Sequence, residues 1–183
     1  MKIDRQLLKR EAIEWAQSIA VALVLTLIIR TFVVQAFKIP SGSMRPTLIE
    51  GDKLFVNKFI YRFEQPKRGD IIVFKYPADR KKDFIKRLVA VGGETVEIRD
   101  GKIHVDGVVL DDPESFGKFF YYNHEPYGGP YEKIQVPEGQ YYVLGDNSAN
   151  STDSRFWGFV PRQNVIGKAF VRWWPLKRMG RID

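Results

Sequence analysis

The sequence contains no cysteine. That excludes a disulfide framework, a thiolate nucleophile and a Cys-based zinc site. It has only two histidines, His104 and His124, which form no ligand-spaced cluster and leave a Ser/His pair without a convincing base. Nothing repeats at a fixed period, no segment is of low complexity, and there is neither a P-loop nor a dinucleotide fingerprint, so solenoids and the common phosphate cradles are excluded. Acidic residues are in deficit, 22 against 29 basic ones, for a formal charge of +7 over 183 residues. An excess of that sign favours anionic partners, lipid headgroups or nucleic acid, without choosing between them.

Charge is also missing along one stretch. Residues 1 to 14 are dense in it, with Lys2, Arg5, Lys9 and Arg10 against Asp4, Glu11 and Glu14, but none occurs from Trp15 to Ile29. A helix of that length reaches roughly 22 Å, short of a hydrocarbon core of about 30 Å. The flanking turns close the gap, and Arg30 near one end has a stem long enough to carry its guanidinium to the headgroups. A retained anchor, a cleaved signal peptide ending at Val34-Gln35-Ala36 and an amphipathic surface helix all fit this pattern. We read a single transmembrane anchor over residues 15–36, a cytoplasmic segment over 1–14, and an extracytoplasmic domain over 37–183. The short basic N-terminal flank sets that orientation, since a large trailing domain is translocated largely regardless of its charge.

After the apolar run the pattern turns to short β-like segments broken by Gly-Asp and Asp-Gly pairs. Strands are expected at Lys53 to Asn57, Asp70 to Tyr76, Phe84 to Val91, Thr95 to Arg99, Lys102 to Val105, Ile134 to Val136, Gln140 to Leu144 and Val165 to Val171. Asp100-Gly101 and Asp106-Gly107 read as hairpin turns. Ile103 and Val105 alternate with His104, which places that histidine on the opposite, solvent-facing side of its strand. From Asp111 to Lys133 runs a long loop rich in aromatics and glycine. Lys118 and Lys133 are too thin an electrostatic footprint there for a nucleic-acid site, so surface packing is the expectation and nucleic acid is not an expected partner.

The segment Phe37 to Leu48, Phe-Lys-Ile-Pro-Ser-Gly-Ser-Met-Arg-Pro-Thr-Leu, stands directly after the apolar run. Pro40 and Pro46 discourage helix, and Gly42 lets another backbone come close, so the segment suits presentation of a serine to an extended peptide. A serine needs a base, and with both histidines doubtful a carboxylate or a lysine must serve. In Phe84-Ile85-Lys86-Arg87-Leu88-Val89-Ala90 a period of two puts Lys86 on one face with Phe84, Leu88 and Ala90. Desolvation there lowers a lysine pKa. To be substantially neutral near pH 8 it must fall by roughly 2 to 3 from about 10.4, or about 3 to 4 kcal/mol, which burial can supply. The alternative is that Lys86 snorkels out of an edge strand beside Arg87.

Four boxes in order, Ile39 to Leu48, Arg68 to Phe74, Ile85-Lys86-Arg87, and Gly145-Asp146-Asn147 with Asn150 to Arg155, resemble those of bacterial type I signal peptidases of the minimal Gram-positive type. The resemblance runs from the apolar run to about Pro175. It implies a mainly antiparallel all-β catalytic domain, related to the self-cleaving domain of LexA-type repressors, behind one N-terminal transmembrane helix. The implied activity is a monomeric Ser/Lys endopeptidase, without metal or cofactor, on the outer face of the cytoplasmic membrane, cutting signal peptides from secreted preproteins after small residues at −1 and −3. By position, Ser43 matches the nucleophile, Lys86 the general base, and Ser41 the oxyanion-hole hydroxyl that acts with the backbone N–H of Ser43. Ser151 matches a hydroxyl that orients the lysine, and Asp153 and Arg155 a supporting ion pair. Phe37, Ile39, Pro40, Met44, Leu48, Phe84 and Ile85 match substrate-binding positions. Ser148 and Ala149 depart from the family, where an arginine often follows Gly-Asp-Asn; any ion pair made by that arginine is absent here, which bears on the local stability of this loop and not on the dyad. Two other classes remain: a membrane-attached domain that binds an extended partner without cutting it, and a LexA-like self-cleaving regulator, which would need a helix-turn-helix where this chain has an apolar run.

Overall fold

Extended, β-branched segments set between tight turns give most of this chain its form. The computed structural model describes residues 5–111 and 116–182. Lys2 and Asp4 of the expected cytoplasmic segment, positions 112–115 of the aromatic loop and the Arg30 side chain lie outside what is described. In chain order the regular elements are α1 (Arg5–Phe32), β1 (Val34–Lys38), β2 (Lys53–Asn57), β3 (Ile71–Tyr76), β4 (Asp79–Val91), β5 (Thr95–Arg99), β6 (Lys102–Val105), β7 (Val108–Val109), β8 (Ile134–Gln135), β9 (Gln140–Leu144), α2 (Ser154–Trp157), β10 (Val160–Pro161), β11 (Val165–Trp174) and β12 (Gly180–Arg181).

The helix ends four residues before the expected boundary. Val33 and Val34 are β-branched and favour extended backbone, and Val34 to Lys38 pair antiparallel with Asn57 to Lys53. Val34-Gln35-Ala36 is therefore held in a sheet, not in a helix. Among the described residues no helix is long and apolar enough to cross a membrane. The helix nevertheless exposes Trp15, Ile19, Val21, Leu23, Val24, Leu25 and Leu27, more apolar surface than water tolerates on an isolated helix.

The strands form two antiparallel sheets. The larger runs β1-β2-β11-β3-β4-β9-β10 with β12 beside β11, and the smaller runs β7-β6-β5-β8. β3 is buried on both faces: Ile71 and Val73 join a core with Ile39, Met44, Leu48, Leu54 and Val56, while Ile72 and Phe74 join Leu88, Val143 and Val160. Successive strand residues point to opposite sides, so one apolar run serves two cores. The third core lies between Val89 and Ala90, Ile98 and Ile103 of the smaller sheet, and Phe116 and Tyr121 of the aromatic loop. Both expected hairpins form, with Asp100 and Gly101 at φ 51° and 74° and Asp106 and Gly107 at 51° and 81°, the left-handed pair that a two-residue turn requires.

His104 is a correction. It is 5% exposed and paired across from Glu97, itself buried. Alternation separated the two faces of the strand correctly but did not reveal that both are covered. Lys86 is likewise buried, at 4% exposed, so the snorkelling alternative is set aside.

Candidate active site

Two prolines and a glycine shape the first wall of the site. After β1 the chain passes through Pro40 and Ser41 into one 3-10 turn, Gly42–Met44, closed by the Arg45 N–H on the Gly42 carbonyl. This brings the Ser43 hydroxyl against β4, where Lys86 Nζ lies 2.6 Å from Ser43 Oγ. Lys86 Nζ also stands 5.7 Å from the centre of the Phe84 ring. Burial lowers the Lys86 pKa to about 8, opposed by the charges of Asp153 and Asp146 and assisted by that of Arg155. A buried amine that sheds its proton near neutrality, in hydrogen-bond contact with a serine, is an activated nucleophile pair.

Beside the pair opens a cavity of about 350 Å³, lined by Pro40, Ser41, Ser43, Asp83, Phe84, Ile85, Lys86, Asn150 and Thr152. β4 pairs with β3 along this whole segment, but its pairing with β9 begins only at Arg87, so Asp83 to Lys86 present one strand edge to the cavity. Of the expected substrate-binding residues Pro40, Phe84 and Ile85 line it. Ile39, Met44 and Leu48 do not: they are 3%, 0% and 0% exposed and belong to the core beneath the serine, with half-buried Phe37 packed against them. Ile85 packs against the same core and still lines the cavity, so this core reaches the groove wall.

The last box forms the second wall. Asp153 and Arg155 make a fully buried ion pair, Arg155 Nη2 to Asp153 Oδ2 at 2.8 Å, and Asp153 also accepts the Gly145 N–H at 3.0 Å. Gly145 passes so close to the site that a Cβ there would collide with the Ser151 hydroxyl and the Ser43 carbonyl. The Ser151 hydroxyl is buried and has no hydrogen-bond partner, so the orienting bond to Lys86 is not made in this arrangement. Ser41 is exposed at the cavity rim, and its hydroxyl makes no capping bond to the turn.

Ser148, which stands where many family members have an arginine, is buried and bonded. Its hydroxyl accepts from Arg155 Nη1 at 2.7 Å and from the Tyr122 N–H at 2.8 Å, while Arg155 Nη1 also donates to the Tyr122 carbonyl. A small buried acceptor thus ties the aromatic loop to Arg155 without a further arginine.

The sequence reading passed over the partners of Asp146. Arg87, consecutive with Lys86, holds Asp146 through two bonds of 2.9 and 2.8 Å, and the Thr47 hydroxyl donates to the same carboxylate at 2.6 Å. Asn147 in turn reaches Gly42 and Ser43. The signal was present as an acidic and an amide residue in one box, but their partners are remote in the chain.

A serine hydroxyl under a buried amine at the edge of an open strand is the equipment of a serine hydrolase. Residues 12–174 match the family model described as signal peptidase, peptidase S26. The chain is 42% identical over 176 residues to a probable signal peptidase I-2 of Synechocystis, covering 93% of this chain and 77% of the relative. It is 43% identical to a signal peptidase I of Leptolyngbya laminosa, covering 92% and 83%, and 34% identical to signal peptidase IB of Staphylococcus aureus, covering 92% of each. The chain belongs to the signal peptidase family, peptidase S26, and is a serine endopeptidase. The Gram-positive subtype is not singled out, since cyanobacterial relatives are the more similar of these.

Proposed function

We propose that this peptidase cuts signal peptides from secreted preproteins with Ser43 as nucleophile and Lys86 as general base, and that it does so at a membrane surface. The observation that carries this reading is the 2.6 Å contact between Ser43 Oγ and the buried Lys86 Nζ. Neutral Lys86 takes the hydroxyl proton as Oγ bonds to the scissile carbonyl carbon. The resulting oxyanion is met by the Ser41 hydroxyl and the Ser43 N–H, donors of a kind worth several kcal/mol in acyl transfer. Collapse breaks the C–N bond, and the Lys86 ammonium returns the proton to the departing amine. Water, deprotonated by the same amine, then releases the signal peptide as a carboxylate. Ser151 is the hydroxyl available to direct the lysine once substrate is bound, and the Asp153–Arg155 pair fixes the backbone behind it.

An extended peptide adds alongside the open edge of β4, where main-chain bonds carry no side-chain information and pockets for alternate residues do. The modest cavity between Pro40, Phe84 and Ile85 suits small residues at −1 and −3. The apolar surface of α1 supports membrane attachment. A single pass with the N-terminus in the cytoplasm and the catalytic domain on the outer face rests on the basic N-terminal flank and on the uncharged stretch Trp15 to Ile29 within α1. The chain acts as a monomer on its own strand edge.

The test is incubation of the detergent-solubilised full chain with labelled preproteins carrying Ala, Leu or Phe at −1, with product masses determined. Cleavage after Ala, poor cleavage after Phe, and none with Ser43→Ala are expected. Processing by Ser43→Ala would remove the nucleophile assignment, and equal rates for Ala and Phe would remove the pocket.

A further inference from the structure

Asn147 has no part in the mechanism above, yet it holds the nucleophile turn at two consecutive carbonyls. Its side-chain Nδ2 lies 3.0 Å from the Gly42 carbonyl oxygen, and its backbone N–H donates to the Ser43 carbonyl at 3.0 Å. A carbonyl oxygen only accepts, so the amide must face Gly42 with its nitrogen. The Gly42 C=O and the Ser43 N–H belong to one planar trans peptide unit, in which they point in opposite directions. Whatever fixes the first aims the second. That N–H stands in the opening turn of a 3-10 helix, among those left without an intrahelical acceptor. The other bond on the Gly42 carbonyl comes from the Arg45 N–H at 3.1 Å, which closes the turn from within, whereas Asn147 ties it to the opposite wall of the site.

Asn147 is itself held firmly. Its neighbour Asp146 is clamped by Arg87 and Thr47, and its own carbonyl accepts the Asn150 N–H at 2.9 Å. Arg87 follows Lys86 on β4, so one dipeptide, Asp146-Asn147, refers both the base strand and the nucleophile turn to a common support. We infer that Asn147 is a positioning residue for the oxyanion hole, aiming the Ser43 N–H at the developing charge without touching substrate. This inference rests on the Ser43–Lys86 reading.

The experiment uses the detergent-solubilised full chain and Asn147→Asp, which keeps the size of the side chain but replaces the donor by a carboxylate facing a carbonyl. An interaction made only in the transition state shows as equal loss in kcat and kcat/KM, and loss of one oxyanion donor costs about 10²- to 10³-fold. A misaimed donor should therefore lower kcat roughly 10- to 100-fold with KM within about twofold. A substrate peptide ending in an aldehyde at −1, which becomes a hemiacetal on Ser43, should bind weaker by a similar factor, while the same peptide ending in a primary alcohol, which has no carbonyl oxygen to place in the hole, binds unchanged. In the uncharged Asn147→Ala the midpoint of the rising pH limb should stay put, because no charge is added near Lys86. Wild-type kcat in Asn147→Asp, a rise in KM alone, or a moved midpoint in Asn147→Ala would each overturn the inference. If Asn147→Asp does not fold, Asn147→Ala carries the same readouts. Ser43→Ala run alongside separates the two ideas: activity without Ser43 defeats the dyad itself, whereas a Ser43-dependent enzyme indifferent to Asn147 defeats only this inference.

Discussion

Lys86 and Arg87 are consecutive on one strand, both cationic and both buried, at 4% and 1% exposed, yet their surroundings differ in kind. The Arg87 guanidinium meets a carboxylate through two bonds and a carbonyl through a third. Lys86 meets a neutral hydroxyl. Burial penalises both charges, but only Arg87 has a carboxylate in contact, and Lys86, beside a neutral hydroxyl, gives its proton up near pH 8. A buried cation becomes a base when the fold withholds its counterion, and a fastening when the fold supplies one.

The sharpest way to break this contrast is to put a permanent charge where the fold has withheld compensation. Lys86→Arg carries a guanidinium that stays protonated at any usable pH, so the general base is lost and kcat/KM should fall by about 10⁴-fold, the upper end for such a group. In the unaltered enzyme the same logic gives a pH profile. With the amine charging below about 8, kcat/KM should rise about tenfold per pH unit up to that value and then level. Near-normal cleavage by Lys86→Arg, or a flat profile between pH 6 and 8, would show that the lysine is not the base.

Removing the compensated charge should act on stability instead. Arg87→Met leaves Asp146 buried with only the Thr47 hydroxyl, and a broken buried pair typically costs about 3 to 5 kcal/mol. Urea unfolding followed by tryptophan fluorescence reads this directly. Adding Asp146→Leu should recover most of the stability, because two apolar groups in place of a buried pair are close to neutral, but it should not recover kcat if the 146–147 corner supports the turn. An Arg87→Met protein as stable as the parent would mean that the pair contributes nothing.

How far the sequence revealed this site follows from the range of each signal. Ser43 was legible because prolines and a glycine bracket it, and Lys86 because a cation interrupts an apolar alternation. The β5–β6–β7 hairpins were legible because Asp-Gly turns act locally. What escaped depends on the other side of a contact. β1 is extended because β2 lies beside it, His104 is buried because something covers its second face, and Met44 and Leu48 are covered by the core packed around them. Asn147 holds residues some hundred positions earlier, and no local pattern announces that.

The smallest expected effect is also the most discriminating, since it makes at Lys86 the substitution already made at Arg87. For Lys86 the folded-state pKa of about 8 lies below the ordinary 10.5. Below pH 8 both folded and unfolded chains carry the proton, and the fold bears the full penalty of the buried ammonium. Between pH 8 and 10.5 the unfolded chain still binds the proton and the folded chain does not, so stability rises with pH; above 10.5 the penalty is gone. The separation of those values corresponds to about 3 kcal/mol. Lys86→Met removes the penalty and also the hydrogen bond to Ser43, worth about 1 kcal/mol. At pH 7 the inactive variant should therefore be more stable than the parent by about 2 kcal/mol, opposite in sign to Arg87→Met. The advantage should fade as pH climbs from 8 toward 10.5, where the parent no longer buries a charge. Urea midpoints of the two proteins at pH 7 and pH 10 decide it. A Lys86→Met chain less stable than the parent at pH 7 would mean that the ammonium is compensated after all, and the contrast between the two neighbours would collapse.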